Sequence, residues 1–387
     1  MAETLQPAKP GRLMSLDVFR GLTIAAMLLV NNAGDWSHVW EPLGHADWHG
    51  CTATDLIFPF FLFIMGAAMQ FSFAGRLSKS GGQGGVIGQI IRRTVILFAL
   101  GVILNCFSWW SYANHFRLYG VLQRIAICYF VCSFIMLYGS TQAQIIWCVG
   151  FLAVYYIIMK FVRAPGQPAP SLEPFKSIMD YVDSKLFKGW NYQYDADLNM
   201  WHDPEGLIST LGAFGSTLAG GICGWWLRKK EKSTVEKTAG ILAVGVLLII
   251  AGKLMKHDIP LNKHLWTPSY VVYTSGAALL CLGACCWLID VKGWRTWAKP
   301  FMYYGMNAIA SYFGASAMAI IIAGIKLQIG ADEFIRLKGF IYNNFYKSWI
   351  PNVAGEYVCS AAYGATFVLI WCVVAWLLYR KKIFIKV

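Results

Sequence analysis

The chain has 387 residues, of which 57% are hydrophobic and only 14% charged, with mean hydropathy +0.50 and a net charge of +13. A water-soluble domain carries about 25% charged residues, so a soluble globular protein is excluded. The 33 Lys and Arg residues are spread along the chain rather than gathered on a soluble module, which argues against a nucleic-acid binder.

Apolar runs of membrane-spanning length recur from end to end. They predict an all-α, polytopic integral membrane protein: a single helical bundle over 1–387 with about ten transmembrane helices, both termini on the cytoplasmic side. Met1–Gly11 is polar, and no cleavable signal peptide follows it. The first span is placed at 19–34 and the second at 55–75, with Asn31 at the edge of the loop between them. That loop carries His38, His45, Asp47, His49, Cys51 and, at its end, Asp55. Ionisable groups at a membrane boundary are costly to hold, so they mark a functional site by default.

An inner loop with Arg76, Lys79 and the Gly-rich run SGGQGGVIGQ (Ser80–Gln89) leads to Arg92 and Arg93 and a third span at 91–109. The glycine run has no preceding strand and no Walker lysine, and it reads as a flexible connector. Spans at 119–138 and 143–162 follow, with Gln123 and Arg124 one turn into the former. An outer loop at 163–205 ends in NMWHDPEG, which brings His202, Asp203 and Glu205 to the start of a span at 206–227. Arg228 and several lysines separate it from 238–255, and Asn262, Lys263 and His264 precede 270–289. The last spans are 300–325, containing Asn307, and 357–379, separated by an outer segment at 326–356.

Orientation follows from Lys and Arg, which concentrate on cytoplasmic loops. Arg12, Arg76, Arg92, Arg93, Arg228, Arg295 and Arg380 then lie inside, and Asn31, His45, Asp55, Arg124, Asp203, Glu205, Asn262 and Lys263 gather at the outer face. Several have plain structural readings. Asp203 would cap the next helix with Pro204 at its first position, Arg124 would be a buried ion-pair partner, and Asn307 would join two helices by a hydrogen bond. The 11 cysteines lie mostly within spans as small packing residues, their spacing fits no zinc site, and no metal is expected. Cys51 sits in the His-rich loop, with nothing nearby to mark a thiolate.

The succession LDVFRG, VNN, GHADWHGCTATDLIFPFFLFIMG, LQRIAICYF, DPEGLISTLGA, IPLNKHLWTPSY and PFMYYGMNAI resembles the heparan-α-glucosaminide N-acetyltransferase family, in its bacterial members that lack the lumenal N-terminal domain. The resemblance runs from Leu13 to the last span, without help from 163–202 or 326–356. It implies transfer of acetyl from cytosolic acetyl-CoA to the amine of a terminal glucosamine across the bilayer, from a bacterial inner membrane whose site faces the periplasm. It also implies a possible homodimer. It places the catalytic histidine at His45, with Asn31 and Asp55 beside it and with Arg124, Asp203 and Glu205 as further matched positions. The family usually has asparagine where this chain has His49, so which imidazole dominates stays open.

The chemistry fits these residue types. A histidine can remove the proton that keeps an amine from attacking. A carboxylate such as Asp55 can fix its tautomer, and Asn31 or Arg124 can stabilise an oxyanion. Asp203, Glu205, Asn262, Lys263, Asn307 and His49 are candidate acceptor-binding groups, and Arg76, Arg92, Arg93 and Arg228 are candidates for the CoA phosphates. Ping-pong and ternary-complex routes are both open, the ternary complex needing fewer steps. An O-acetyltransferase of envelope polysaccharide and a small-solute transporter are the alternative functions.

Overall fold

The computed structural model describes residues 13–80, 84–112, 116–330 and 333–385. Lys9, Arg12 and the side chains of Arg76 and Lys79 lie outside what is described, as does the centre of the Gly-rich connector.

The helices that build the bundle are α1 (Met14–Val30), α2 (Ile57–Ser80), α3 (Gly84–Tyr112), α4 (Val121–Tyr138), α5 (Thr141–Phe161), α6 (Ile178–Leu186), α7 (Thr210–Leu227), α8 (Thr234–Met255), α9 (Pro268–Cys285), α10 (Lys299–Met306), α11 (Ala308–Gly324), α12 (Leu337–Tyr342), α13 (Ile350–Ala354) and α14 (Glu356–Arg380). Local chemistry sets many of their ends. Ser140 caps α5 by accepting from the Ala143 amide, and Ser233 with Glu236 forms a capping box at α8. Pro268 opens α9 at a position where no backbone donor is needed.

Among the described residues, seven helical segments are long and apolar enough to cross a membrane, and one bent pair, α10 with α11, passes the same test across an 85° break. The count of about ten from sequence also includes α1 and α7, of 17 and 18 residues. Both are packed deeply in the bundle, and a buried helix need not present an apolar length to lipid. The span windows on α2, α4 and α9 are 67, 56 and 61% buried, against 22, 17, 22 and 22% for α3, α5, α8 and α14, so the latter four form the lipid-facing rim. Lipid tails are as apolar as leucine, and helices associate in them by close packing. The α2–α7 crossing shows this: a Cβ on Gly66 would meet the Thr217 carbonyl oxygen at 1.9 Å, and one on Gly220 would meet that of Phe63 at 1.9 Å.

Three sequence-based boundaries shift. The first span begins at Met14 and ends at Val30, because the Asn32 side-chain amide turns back to donate to the Leu28 carbonyl oxygen at 2.7 Å. The span expected from 206 begins at Thr210, after a turn formed by Asp203–Gly206. The span expected at 300–325 is broken at Asn307. The segments 163–205 and 326–356 also carry structure that an all-helical reading omits: antiparallel pairs β1 (Gln193–Asp195) with β2 (Met200–His202), and β3 (Lys326–Gln328) with β4 (Phe334–Arg336).

The alternation of helices brings the connections at 31–56, 162–209, 256–267 and 325–355 to one end. Cross-links tie them together there: Gly50 N to Leu261 O at 2.7 Å, Trp48 Nε1 to Leu172 O at 2.8 Å, and Gly34 N to Ser360 O at 3.1 Å. Arg92, Arg228, Lys299 and Arg380 lie at the opposite end.

Candidate functional site

His45 leaves a short 3-10 turn, Glu41–Leu43, and Asp55 lies within another, Thr54–Leu56, that opens α2. The loop closes on itself between them. Thr52 Oγ1 donates to the Gly44 carbonyl oxygen at 2.7 Å, and Thr54 Oγ1 donates to that of Pro42 at 3.1 Å. The Asp55 carboxylate is 1% exposed and accepts from the amides of Ala46 and Thr52 at 3.1 and 3.0 Å. Its other oxygen lies 2.7 Å from His45 Nδ1. The His45 side chain is 46% exposed. With an ionised acceptor at Nδ1, the ring carries its proton there and presents a lone pair at Nε2, the arrangement of a general base held by a carboxylate. The Tyr270 hydroxyl donates to the Asp55 carbonyl oxygen and locks this turn to α9.

Lys263 reaches the same imidazole from the loop before α9. Its Nζ stands 3.0 Å from Nδ1 and 3.1 Å from Nε2 of His45, and 3.7 Å from Asp55 Oδ1. Burial lowers the pKa of this amine, although Asp55 and Glu205 pull it the other way. Cys51 beside them is a half-buried thiol pushed up to about 12, chiefly by burial and secondarily by Asp55, which removes it as a nucleophile near neutral pH.

His49 stands apart from this pair. Its Nδ1 meets the Asn262 amide at 3.2 Å, and its Nε2 lies 3.9 Å from Glu173. Asn262 is fully buried and spends its carbonyl oxygen on the Leu265 amide at 2.8 Å, so it shapes the turn that carries Lys263. Of the two imidazoles left open by sequence, only His45 touches Asp55.

The acidic pair of DPEG is claimed by Arg117, which the sequence reading did not select. Arg117 Nε lies 2.9 Å from Asp203 Oδ2 and Nη2 2.5 Å from Oδ1, and Nη2 also contacts Glu205. Burial works against the Arg117 charge, and Asp203 and Glu205 more than reverse it, so its pKa is raised. Burial likewise disfavours the Glu205 charge, and Arg117, Arg124 and Lys263 together hold that carboxyl below its ordinary range. One signal for Arg117 was available: in the orientation expected from sequence it is an arginine on the outer side, a departure from the rule that places such residues inside. Asp203 does cap, but it caps its own turn, accepting from the Glu205 amide at 2.9 Å rather than from α7.

Arg124 is 1% exposed and donates to the Gly206 carbonyl oxygen at 3.0 Å and to the Ser209 hydroxyl, with its guanidinium 5.2 Å over the Trp266 ring. Among the described residues no carboxylate lies within ion-pair distance of it. It therefore fixes the start of α7 onto α4, and the ion pair expected of it is not formed among the described residues. Gly206 is required here, because a Cβ would meet Asp183 Oδ2 at 1.9 Å. Asp183 accepts from the Leu207 amide at 3.0 Å. Burial first, then the charges of Asp203 and Asp180, push its carboxyl up to about 7.

A second imidazole chain lies beside the first. His202 is buried, with Nδ1 2.6 Å from Asp180 Oδ1 and Nε2 3.4 Å from His264 Nδ1. His264 stacks on Trp48 at 4.9 Å. Burial, followed by His202 and Lys263, pushes its imidazole down to about 4, so it is neutral near pH 7. Both histidines read as loop residues in sequence, and only the fold shows that they are paired.

A cavity of about 340 Å³ opens between α1, α3, α4, α11 and α14, lined by Asn31, Asn105, Arg117, Gln123, Tyr312 and Lys338 among others. Asn31 lines this cavity, and among the described residues no side-chain hydrogen bond joins it to His45 or Asp55. Asn307 is not at this face. Its amide donates to the Ile383 carbonyl oxygen at 3.1 Å and accepts from the Ile385 amide at 2.9 Å, pinning the end of the chain to the α10–α11 break. Arg92 and Arg228 are exposed at the opposite end, and Arg93 packs 4.5 Å over Tyr129. Among the described residues no group of three His, Cys, Asp or Glu is placed to hold a metal ion.

Comparison with known proteins agrees with the motifs. Residues 12–182 match the family model described as heparan-alpha-glucosaminide N-acetyltransferase, catalytic. The human heparan-alpha-glucosaminide N-acetyltransferase is 27% identical over 98% of this chain and 60% of its own length, and the mouse protein of the same name is 27% identical over 97% and 60%. The chain thus spans about three-fifths of the length of these curated relatives. The family model includes His45, Asp55, Arg117 and Arg124, and the matched region of both relatives extends over nearly the full chain.

Proposed function

We propose that the chain is a membrane-embedded N-acetyltransferase that moves acetyl from acetyl-CoA to the amine of a glucosamine-type sugar, with His45 as general base. The observation that carries this reading is the His45–Asp55 contact of 2.7 Å, with the carboxylate buried and the imidazole half exposed.

In this reading the acceptor's ammonium gives a proton to His45 Nε2, and the charge that forms on the ring is compensated by Asp55. The freed amine attacks the thioester carbon in a ternary complex. A C–N bond forms, the C–S bond breaks, the newly acylated nitrogen gives its second proton to water, and the proton held on His45 passes to the departing thiolate. Asn31, lining the cavity, is the amide offered to the oxyanion, a contact worth about 3 kcal/mol where it is made. The acceptor's hydroxyls are assigned to the Arg117–Asp203–Glu205 side of the cavity. Arg76, Arg92, Arg93 and Arg228, at the basic end, are offered to the CoA phosphates. The density of Lys and Arg there supports a cytosolic donor face, with the His45 face in the periplasm of a bacterial inner membrane.

The test is acetyl transfer by the purified chain from labelled acetyl-CoA to glucosamine, set against His45→Ala. The variant keeps its helical circular dichroism and loses transfer. Turnover near that of the parent in His45→Ala rejects the assignment.

A further inference from the structure

In this structure a primary amine of the chain itself already stands at the base. Lys263 Nζ lies 3.0 and 3.1 Å from the two ring nitrogens of His45. A base can take a proton only from a group within hydrogen-bond reach, about 2.6–3.2 Å. The station that an acceptor amine must occupy beside His45 is therefore the one Lys263 holds. A thioester carbon delivered to that station is delivered to Lys263.

We propose that Lys263 is a self-acetylation site, modified by the acetyl thioester when the sugar acceptor is absent. The inference rests on His45 being the base of acetyl transfer. The step balances as the sugar reaction does. His45 removes a proton from the Lys263 ammonium, Nζ attacks the acetyl carbonyl carbon, and an N–C bond forms as the C–S bond breaks. The thiolate leaves with the proton that His45 carried, and the second proton of the ammonium passes from the acylated nitrogen to water.

The surroundings favour this lysine over others. The charged and titratable groups that face it are His45 and Asp55 from the first outer loop, Cys51 from the same loop, and Glu205 from the DPEG turn, with His264 next to it in the chain. Its side chain is 19% exposed, and burial lowers the pKa of its amine, which raises the fraction able to attack. Lys256, at the end of α8 in the same connection, is exposed. Acetylation would remove the positive charge from beside His45 and leave an amide at the base, a dead end that an incoming sugar amine would otherwise prevent.

The experiment uses the full chain in detergent with isotopically labelled acetyl-CoA, without acceptor, followed by peptide mass mapping. The expected result is label on Lys263 at about tenfold or more the level on Lys256, as proximity to the base requires. That label is suppressed by glucosamine and absent from His45→Ala. Lys263 found already acetylated as purified, and unacetylated in His45→Ala, supports the inference equally. Label spread evenly over Lys253, Lys256 and Lys263 overturns it, as does an unlabelled Lys263 in a preparation that acetylates glucosamine. Failure to label either Lys263 or glucosamine overturns the proposed function along with it. Lys263→Arg serves as the control that the labelled peptide is correctly assigned.

Discussion

Asp55 holds His45 at 2.7 Å while the backbone amides of Ala46 and Thr52 hold Asp55, so the loop that carries the imidazole also builds the site that orients it. Replacing the carboxylate by its amide tests this arrangement most directly. Asp55→Asn places an NH2 group or a neutral oxygen opposite Nδ1. An NH2 there would force the lone pair onto Nδ1 and the proton onto Nε2, the wrong tautomer for a base. Turnover is expected to fall by about 10³–10⁴, the scale seen when the aspartate of a serine-protease triad is so changed, with the melting temperature little altered. A fall in turnover of less than about tenfold would show that the carboxylate does not set the tautomer.

Arg117 and the carboxylates of Asp203 and Glu205 form one buried unit. Arg117→Gln leaves two carboxylates without their hydrogen-bonded cation at positions 3 and 8% exposed. Removing one partner of a buried pair costs about 3–5 kcal/mol, mostly from the charge left behind. Adding Asp203→Asn and Glu205→Gln is expected to recover much of that loss, and unfolding measurements on the single, double and triple variants provide the check. Equal destabilisation in the triple variant would show that the cost is lost packing rather than stranded charge.

Two groups at the His45 end of the bundle give stability opposite dependences on pH. His264 has its pKa lowered from 6.5 to about 4, so the unfolded chain takes the proton first and stability falls as pH drops through that window. His264→Phe keeps a ring against Trp48 and removes the effect, with a gain of at most about 3 kcal/mol at the acid end. Asp183 is raised from 3.8 to about 7, so its contribution is lost as pH climbs over that range. Asp183→Asn is expected to be relatively more stable at pH 8 than at pH 4. Melting curves of both variants across pH 4–8 separate the two slopes, and parallel curves for parent and variant would refute the corresponding assignment.

The α2–α7 crossing couples packing to the site, because α2 begins beside Asp55 and α7 begins at Ser209, which meets Arg124. Gly66→Ala puts a methyl group 1.9 Å from the Thr217 carbonyl oxygen, and the helices must part. Overpacking of this kind costs about 1–3 kcal/mol. Activity is expected to fall with stability. The same substitution at Gly88, where a Cβ meets nothing within 4 Å, is expected to change neither by more than about 0.5 kcal/mol. A neutral Gly66→Ala variant in both measurements would show that this contact is compliant.

The sequence by itself determined the class of molecule and the short-range chemistry. Membrane-length apolar runs are a one-dimensional property, and backbone groups in lipid must be satisfied within each helix, so α2, α3, α4, α5, α8, α9 and α14 were legible without a fold. His45 and Asp55 were legible too, because ten residues of one loop separate them and a charged pair at a membrane edge stands out in composition. The tertiary structure decided what depends on separate segments meeting. It gave Arg117 to Asp203 and Glu205 across more than 80 residues, left Arg124 on backbone and hydroxyl oxygens over Trp266, paired His202 with Asp180, and moved Asn307 to the far end of the bundle. It also seated Lys263 on His45 across 218 positions. Periodicity and hydropathy report the face and depth of a residue along its own helix, whereas the partner of a buried charge is set by which helices pack side by side, and glycine contacts such as Gly66 with Thr217 fix that packing only once the chain has folded.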